Sequence, residues 1–294
     1  MMLVDFHSHT TASDGLLTPE ELVLRAVERR VDVLAITDHD TVAALAPAKQ
    51  FIAEQDLPIT LMNGIEISSA WENHEIHVVG LRFDPDNPAL QAFIAQQSQR
   101  REDRALEMGR RLEKNRIPGA YEGAKALAAE GAITRAHFAR YLVSQGVAAN
   151  FQAVFKKYLS RGNTGYVPHN WPELSEAIAV IQQAGGVAIL AHPSHYKLSN
   201  KWLKRLFQSF KAAGGDGVEV ASSQQSPQTR TNLALWAKEA QLKASQGSDF
   251  HLISAWCDLG RNLYLPKDAE PIWQDWQELS VKRNLAESPQ LPQQ

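Results

Sequence analysis

The sequence predicts an α/β fold: a parallel sheet or closed barrel flanked by helices, with a helical subdomain inserted into it. Three observations carry that expectation. Short apolar strand-like runs alternate with amphipathic helix-like runs at both ends of the chain, and such βα units bury a parallel sheet under helices. Between residues 88 and 160 the strand signal disappears and only helical periodicity remains. The 294 residues suffice for one large domain or two small ones with a filled core, and 44% hydrophobic with 21% charged residues is ordinary globular composition.

Each element has a local cause. Residues 3–7 read as a short opening strand. Thr18-Pro19-Glu20-Glu21 then supplies an N-cap, a proline at the first helical position and acids in the first turn. That helix runs to about Arg30, with Leu22, Ala26 and Val27 on one face. Residues 31–37 form a buried strand and 41–55 a helix; 59–67 and 75–83 are further strands joined by the polar stretch 68–74. In the insert, 95–116 is helical and dense in charge, and 124–130 and 137–145 are shorter amphipathic helices. Alternation resumes at Tyr166: helix 173–184 stopping at Gly185-Gly186, strand 187–191, helix 202–213, strand 217–220, helix 227–239 and strand 242–246. A last strand at 261–265 precedes a tryptophan-containing helix. The expected organisation is a discontinuous barrel domain (1–87 and 161–280), an insert (88–160), and a flexible tail at 281–294, Pro/Gln-rich from Glu287. No internal repeat is evident.

Bulk properties narrow the setting. A net charge of −3 creates no global basic field for nucleic acid. The single cysteine, Cys257, cannot form an internal disulfide, reads as packing beside Trp256, and fits a reducing compartment. Apolar runs are short of a membrane span and no basic-plus-apolar leader precedes Asp5. A cytoplasmic protein without membrane contact or obligate protein partner is expected.

The chemistry begins at the amino end, in Asp5-Phe6-His7-Ser8-His9 and Asp14. Side chains alternate along a strand, so His7 and His9 face one way and Phe6 the other. Alone, such a pair is either two metal-ligating imidazoles or two hydrogen-bonded histidines at a strand end. Further clusters close later strands: Thr37-Asp38-His39-Asp40, Gly64-Ile65-Glu66-Ile67, His192-Pro193 and Ser248-Asp249-Phe250-His251, with His77 inside its own strand. Six of the ten histidines fall in such places. In a βα barrel those ends converge on one face, which points to a multi-metal centre.

These motifs resemble, as a set, those of the PHP family of phosphoesterases, over the whole chain apart from the insert and tail. The resemblance implies a distorted (β/α)7 TIM-like barrel holding two or three divalent ions, Mn2+ foremost and Zn2+ or Fe2+ as alternatives. It implies one ion on His7, His9, Glu66 and Asp249, and a second sharing Glu66 and adding His77 and His192. Asp14, His39 and His251 either hold a third ion or contact the phosphate, and His251, or Asp14 through a water, is expected to protonate the leaving group. Asp38 and Asp40 either orient neighbouring imidazoles or cap helices. Paired ions about 3.5–4 Å apart activate water and neutralise phosphoryl charge, so no covalent nucleophile is needed.

The insert bears on substrate. Arg100, Arg101 and Arg104, with Arg110 and Arg111, either clamp phosphate or form a solvated Glu/Arg-laced helix face. Arg135 sits at a helix start, where anions are favoured. Residues 155–162 mix bases with aromatics, as nucleic-acid contacts or amphipathic packing would. Gly131-Ala132-x-Thr134-Arg135-x-His137-Phe138, Val154-Phe155-Lys156-Lys157-Tyr158-Leu159, Gly165-Tyr166-Val167-Pro168 and Lys201-Trp202-Leu203-Lys204-Arg205-Leu206 resemble one stand-alone bacterial group of the family. That group acts on 3′,5′-nucleotide bisphosphates and, as a 5′→3′ exoribonuclease, on short RNA and ribosomal RNA 5′ ends. Its arginines imply substrate-phosphate roles for Arg100, Arg101, Arg104 and Arg135. The group's Pro-Gly-Arg-Tyr is here Pro193-Ser194-His195-Tyr196, a departure that leaves His195 as a weaker phosphate contact in its place. A histidinol-phosphate phosphatase and a non-catalytic nucleic-acid module are the competing readings.

Overall fold

The computed structural model describes residues 2–279. Seven strands follow one another around a single sheet: β1 (Val4–Asp5), β2 (Val33–Ile36), β3 (Thr60–Trp71), β4 (His74–Leu81), β5 (Val187–Leu190), β6 (Gly217–Ala221) and β7 (Lys243–Gln246). The ends meet: Phe6 N donates to the Gln246 carbonyl (3.2 Å) and Ser8 bridges Phe250, so β7 lies against β1. Around the sheet run α1 (Pro19–Glu28), α2 (Leu45–Glu54), α7 (Leu174–Gln183), α8 (Asn200–Ala212) and α9 (Pro227–Glu239). Between β4 and β5 the chain also forms α3 (Pro88–Lys114), α4 (Ala120–Ala128), α5 (Arg135–Ser144) and α6 (Phe151–Val154). The mixed, nearly closed seven-stranded barrel is the distorted TIM-like architecture expected from the sequence.

Two faces of the sheet make two cores. Leu34, Ile36, Ile65, Ile67, Val218 and Val220 pack outward against helix residues such as Leu22, Ala26 and Ala48. Val4, Phe6, Val33, Ala35, Val79 and Ile189 fill the interior, with Ile272 and Trp276 among them. This is the period-2 division that strands impose. α1 starts where its sequence says: Thr18 and Glu21 form a reciprocal capping box with Pro19 at the first position. α3 belongs to both halves of the molecule. Its early residue Leu90 joins the barrel core, whereas Ala105, Met108 and Leu112 join a separate insert core with Ala124, Phe138 and Leu142.

Three expectations need correction. The sheet is not all parallel, since β4 runs antiparallel to both β3 and β5. Residues 68–74 are not a polar linker: β3 continues to Trp71, and only Glu72 and Asn73 turn the chain, Glu72 in the left-handed region at φ 54°. The polar side chains of Ser68 and Ser69 misled because buried strands at a site carry polar groups. The strand expected at 261–265 is absent. β7 already pairs β6 on one side and meets β1 on the other, and Asn262 at φ 56° breaks any extended run. The following segment turns at residues 272–275 and is helical only from Gln277. The tail expected at 281–294 lies outside the described residues. Among the described residues no helix is long and apolar enough to cross a membrane.

Candidate metal centre

Nine side chains from six strands meet at the barrel mouth. His7 Nε2 and His9 Nε2 stand 3.1 Å apart, with Glu66 Oε2 at 3.4 and 3.3 Å and Asp249 Oδ1 at 3.5 and 3.4 Å from them. The other carboxylate oxygen of Glu66 lies 2.9 Å from His77 Nδ1 and 2.8 Å from His192 Nε2. Asp14 Oδ1 is 3.3 Å from His251 Nε2 and 3.8 Å from His39 Nε2. Glu66 thus stands at the centre of the group, within 3.4 Å of five imidazoles. His39 straddles two groups, because its Nδ1 also reaches Glu66 Oε2 at 2.9 Å.

The donor set fits a divalent metal. Asp14 Oδ1, His39 Nδ1, Glu66 Oε2 and His192 Nδ1 are buried without a hydrogen-bond partner. Leaving one such atom unpaired costs about 1–3 kcal/mol, and three of the four residues, Asp14, His39 and Glu66, belong to groups placed to hold a cation. Ligand atoms of His9, Asp14, His39 and His251 lie within 4.8 Å of one another, as do those of His7, His9 and Glu66, and of His39, Glu66 and His77. Burial alone would raise the Glu66 carboxyl, yet the rings of His39, His7 and His77 hold it well below the usual carboxylate range. His192 and Asp249 sit in the left-handed region, at φ 24° and 54°. Strain of that kind, about 1–3 kcal/mol per residue, persists where function over-determines geometry.

The surroundings hold these groups in place. Gly247 lets the end of β7 approach β1, because a Cβ there would stand 2.3 Å from His7 Cβ. Asp38 accepts from Thr10 N (2.8 Å), Thr10 Oγ1 (2.6 Å) and Ser13 Oγ (2.5 Å), fixing the loop that carries Asp14. Asp40 accepts from Ser68 N, Gln97 Nε2 and Arg101 Nε at 2.8, 2.9 and 2.7 Å. Neither aspartate hydrogen-bonds a ligand imidazole or caps a helix; one braces a loop and the other ties α3 to the barrel.

Beside the centre lies a cavity of about 140 Å³ whose wall includes Asp14, His39, His77, Arg101, Arg104 and Arg135. Arg104 and Arg135 converge on Glu75, at 3.7 and 3.0 Å. Burial, against the pull of Glu75, brings the Arg104 guanidinium down to about 10. Arg101 is only 7% exposed and pairs with Asp40 at 2.5 Å, so it anchors α3 as well as facing the cavity. Arg100 instead donates to Gln97 Oε1 (2.9 Å) off the cavity wall, and Arg110 and Arg111 pair with Glu107 on the helix surface. His195 is half-exposed, 3.8 Å from Asp249 and stacked on His192 at 5.2 Å.

A model of the PHP domain matches residues 5–184. The chain belongs to the PHP family. It is 56% identical over 277 residues to the 5′-3′ exoribonuclease Rnm of Escherichia coli, covering 94% of each chain. It is 41% identical over 277 residues to the 3′,5′-nucleoside bisphosphate phosphatase of Chromobacterium violaceum, covering 94% of this chain and 96% of the relative. A solved amidohydrolase structure from Chromobacterium violaceum, with bound sulfate and no metal, superposes with a TM-score of 0.87 at 41% identity, over 95% and 96% of the two chains.

Two further acids stand at this centre that no motif in the sequence marked. Glu219 on β6 is 2% exposed; its Oε1 lies 2.7 Å from His7 Nδ1 and its Oε2 accepts from His192 N at 2.6 Å. A donor at His7 Nδ1 leaves the Nε2 lone pair facing the cluster. Glu75 is the other omission, taking Trp171 Nε1 at 2.9 Å besides its two arginines. An acid inside an apolar strand was the available signal for Glu219. Cys257 packs as expected, with its thiol 3.6 Å from the Ser248 carbonyl.

Proposed function

We propose that this protein removes the 3′-phosphate from 3′,5′-nucleotide bisphosphates to leave the 5′-monophosphate, and shortens RNA from its 5′ end. The observation that carries the reading is the juxtaposition of the nine-residue centre with an arginine-walled cavity on one side of it. The names of the relatives support it. In this reading His7, His9, Glu66 and Asp249 hold one divalent ion, and Glu66, His77 and His192 a second, with Mn2+ the preferred occupant. Asp14, His39 and His251 hold a third or meet the phosphate. When bound, such ions activate water and draw charge from the phosphoryl oxygens. Arg104 and Arg135 bind the 5′-phosphate, with Arg101 behind them and Arg100 in a lesser, outer role; His195 touches the phosphate being removed. His251 Nε2 gives the departing 3′-oxygen its proton as the phosphorus–oxygen bond breaks. One bond type serves both substrates, because each carries the phosphoryl group under attack on the 3′-oxygen of a 5′-phosphorylated nucleotide, and that oxygen departs in both. Such substrates place the work in the cytoplasm.

The test is incubation of the Mn2+-loaded protein with a 3′,5′-bisphosphonucleoside, with histidinol phosphate in parallel. Phosphate release and a 5′-monophosphate product are expected from the first. Turnover of histidinol phosphate alone would refute the reading. An RNA with a 5′-phosphate should shorten from that end while its 5′-hydroxyl counterpart resists.

A further inference from the structure

Across the barrel mouth from the arginines lies a second cavity of about 530 Å³, lined by Ser223, Gln224, Gln225, Trp256, Arg261 and Asn262. Its volume falls in the range of small-molecule sites. Its walls are the loops after β6 and β7, whereas the arginine cavity draws on the ends of β1 to β4 and on the insert. The metal centre borders the first cavity and is tied to the second wall by two contacts. Gln225 Nε2 donates to Ser194 Oγ at 3.1 Å, next to His195 and its contact with Asp249. On the other flank, Cys257, adjacent to Trp256, touches the carbonyl of Ser248, adjacent to Asp249.

The chemistry of this second wall differs from that of the first. Trp256 is 75% exposed, a large indole face turned to solvent beside three carboxamides. Arg261 donates to the Ala255 carbonyl (2.6 Å) and makes no ion pair among the described residues. Behind the wall, buried Arg230 donates to the Ser222 carbonyl and lies over the Tyr264 ring at 4.1 Å, with Nε and Nη1 lacking hydrogen-bond partners. No carboxylate lines the cavity. Gln225 bonds within the wall at both ends of its amide and Asn262 Nδ2 donates to the Ser223 carbonyl, so an aromatic platform, the Gln224 amide and uncompensated positive charge are what suit single-stranded nucleic acid here. A bisphosphonucleoside held by the arginines ends at its 3′-phosphate and has nothing to offer this wall. An RNA continues past that phosphate.

We propose that the cavity binds the RNA segment on the 3′ side of the scissile phosphate, its first base stacked on Trp256 and its next phosphate held by Arg261. The proposal rests on the functional reading above and adds a site that only the polymeric substrate uses. With Trp256→Ala, KM for a 5′-phosphorylated RNA should rise roughly tenfold or more, the effect of losing one base–aromatic stack. Turnover of the bisphosphonucleoside should stay within about twofold, and Trp256→Phe should restore the RNA. A binding arm needs no catalysis: with EDTA present, fluorescence anisotropy of a labelled 5′-phosphorylated RNA should show the same weakening for Trp256→Ala and a smaller one for Arg261→Ala. Equal losses on both substrates, or wild-type RNA binding by Trp256→Ala, would overturn the site. Weakened RNA binding in a protein that hydrolyses neither substrate would overturn the functional reading and leave the site standing.

Discussion

Arg135 and Glu219 sit on the two sides of the centre and act by different physics. Arg135 is one-third exposed and shares Glu75 with Arg104. Arg135→Ala removes a charge-assisted contact to substrate but leaves Glu75 paired, so the centre stays intact. KM for the bisphosphonucleoside should rise roughly tenfold or more, from about 1.5–3 kcal/mol of lost binding, with kcat little changed. Steady-state kinetics decide: a fall in kcat at constant KM would put the arginine on the transition state. Glu219 is buried and touches no substrate. Glu219→Gln keeps the shape and an acceptor for His192 N but removes the charge behind His7. Metal affinity should fall about 10- to 100-fold, read by titrating the metal-free protein with Mn2+; unchanged affinity would reduce Glu219 to a packing group. Glu66 and Glu219 show what was legible at this scale. Both are lone acids in apolar strands, but only Glu66 stands in a motif that names its role. In Gly217-Val218-Glu219-Val220, strand alternation equally suits an acid facing solvent.

Strands and helices were legible where a local rule generates them, as the capping box of α1 and the glycine stop after α7 show. The hairpin of β3 and β4 and the missing strand at 261–265 were illegible, because pairing direction and ladder vacancy are settled by distant partners. The same dependence makes Gly247 a test of how β7 meets β1. A Cβ there would lie 2.3 Å from His7 Cβ and 2.7 Å from His7 N, part of it backbone that cannot swing aside. Gly247→Ala must push the β7 end, and with it Asp249, away from the histidines. The cost should be at least the roughly 1–3 kcal/mol of an overpacked core, with bound metal lost alongside. Thermal unfolding and metal content measured together would check it; a wild-type melting temperature with full metal would mean the two chain ends can separate freely.

The whole molecule is built on a nearly closed ring of strands whose mouth gathers buried acids and histidines. Three acids and six histidines contribute to it, and four of their buried ligand atoms lack hydrogen-bond partners. The apolar layers on both faces of the sheet hold the strands that carry these unpaired atoms whenever cations are absent. A cation bound only by the native state adds stability by mass action, about 2.7 kcal/mol when its free concentration is 100 times its dissociation constant. Because the ligands come from six strands around the ring, that gain applies to the barrel as a unit and not to one loop. Chelation should then lower the melting temperature by several degrees, and Mn2+ should restore it in a concentration-dependent way. Asp249→Ala removes one ligand and should blunt the response, while Trp256→Ala, which lies off the centre, should keep it in full. Identical unfolding curves with EDTA and with Mn2+ would show that the barrel carries its strained mouth unaided.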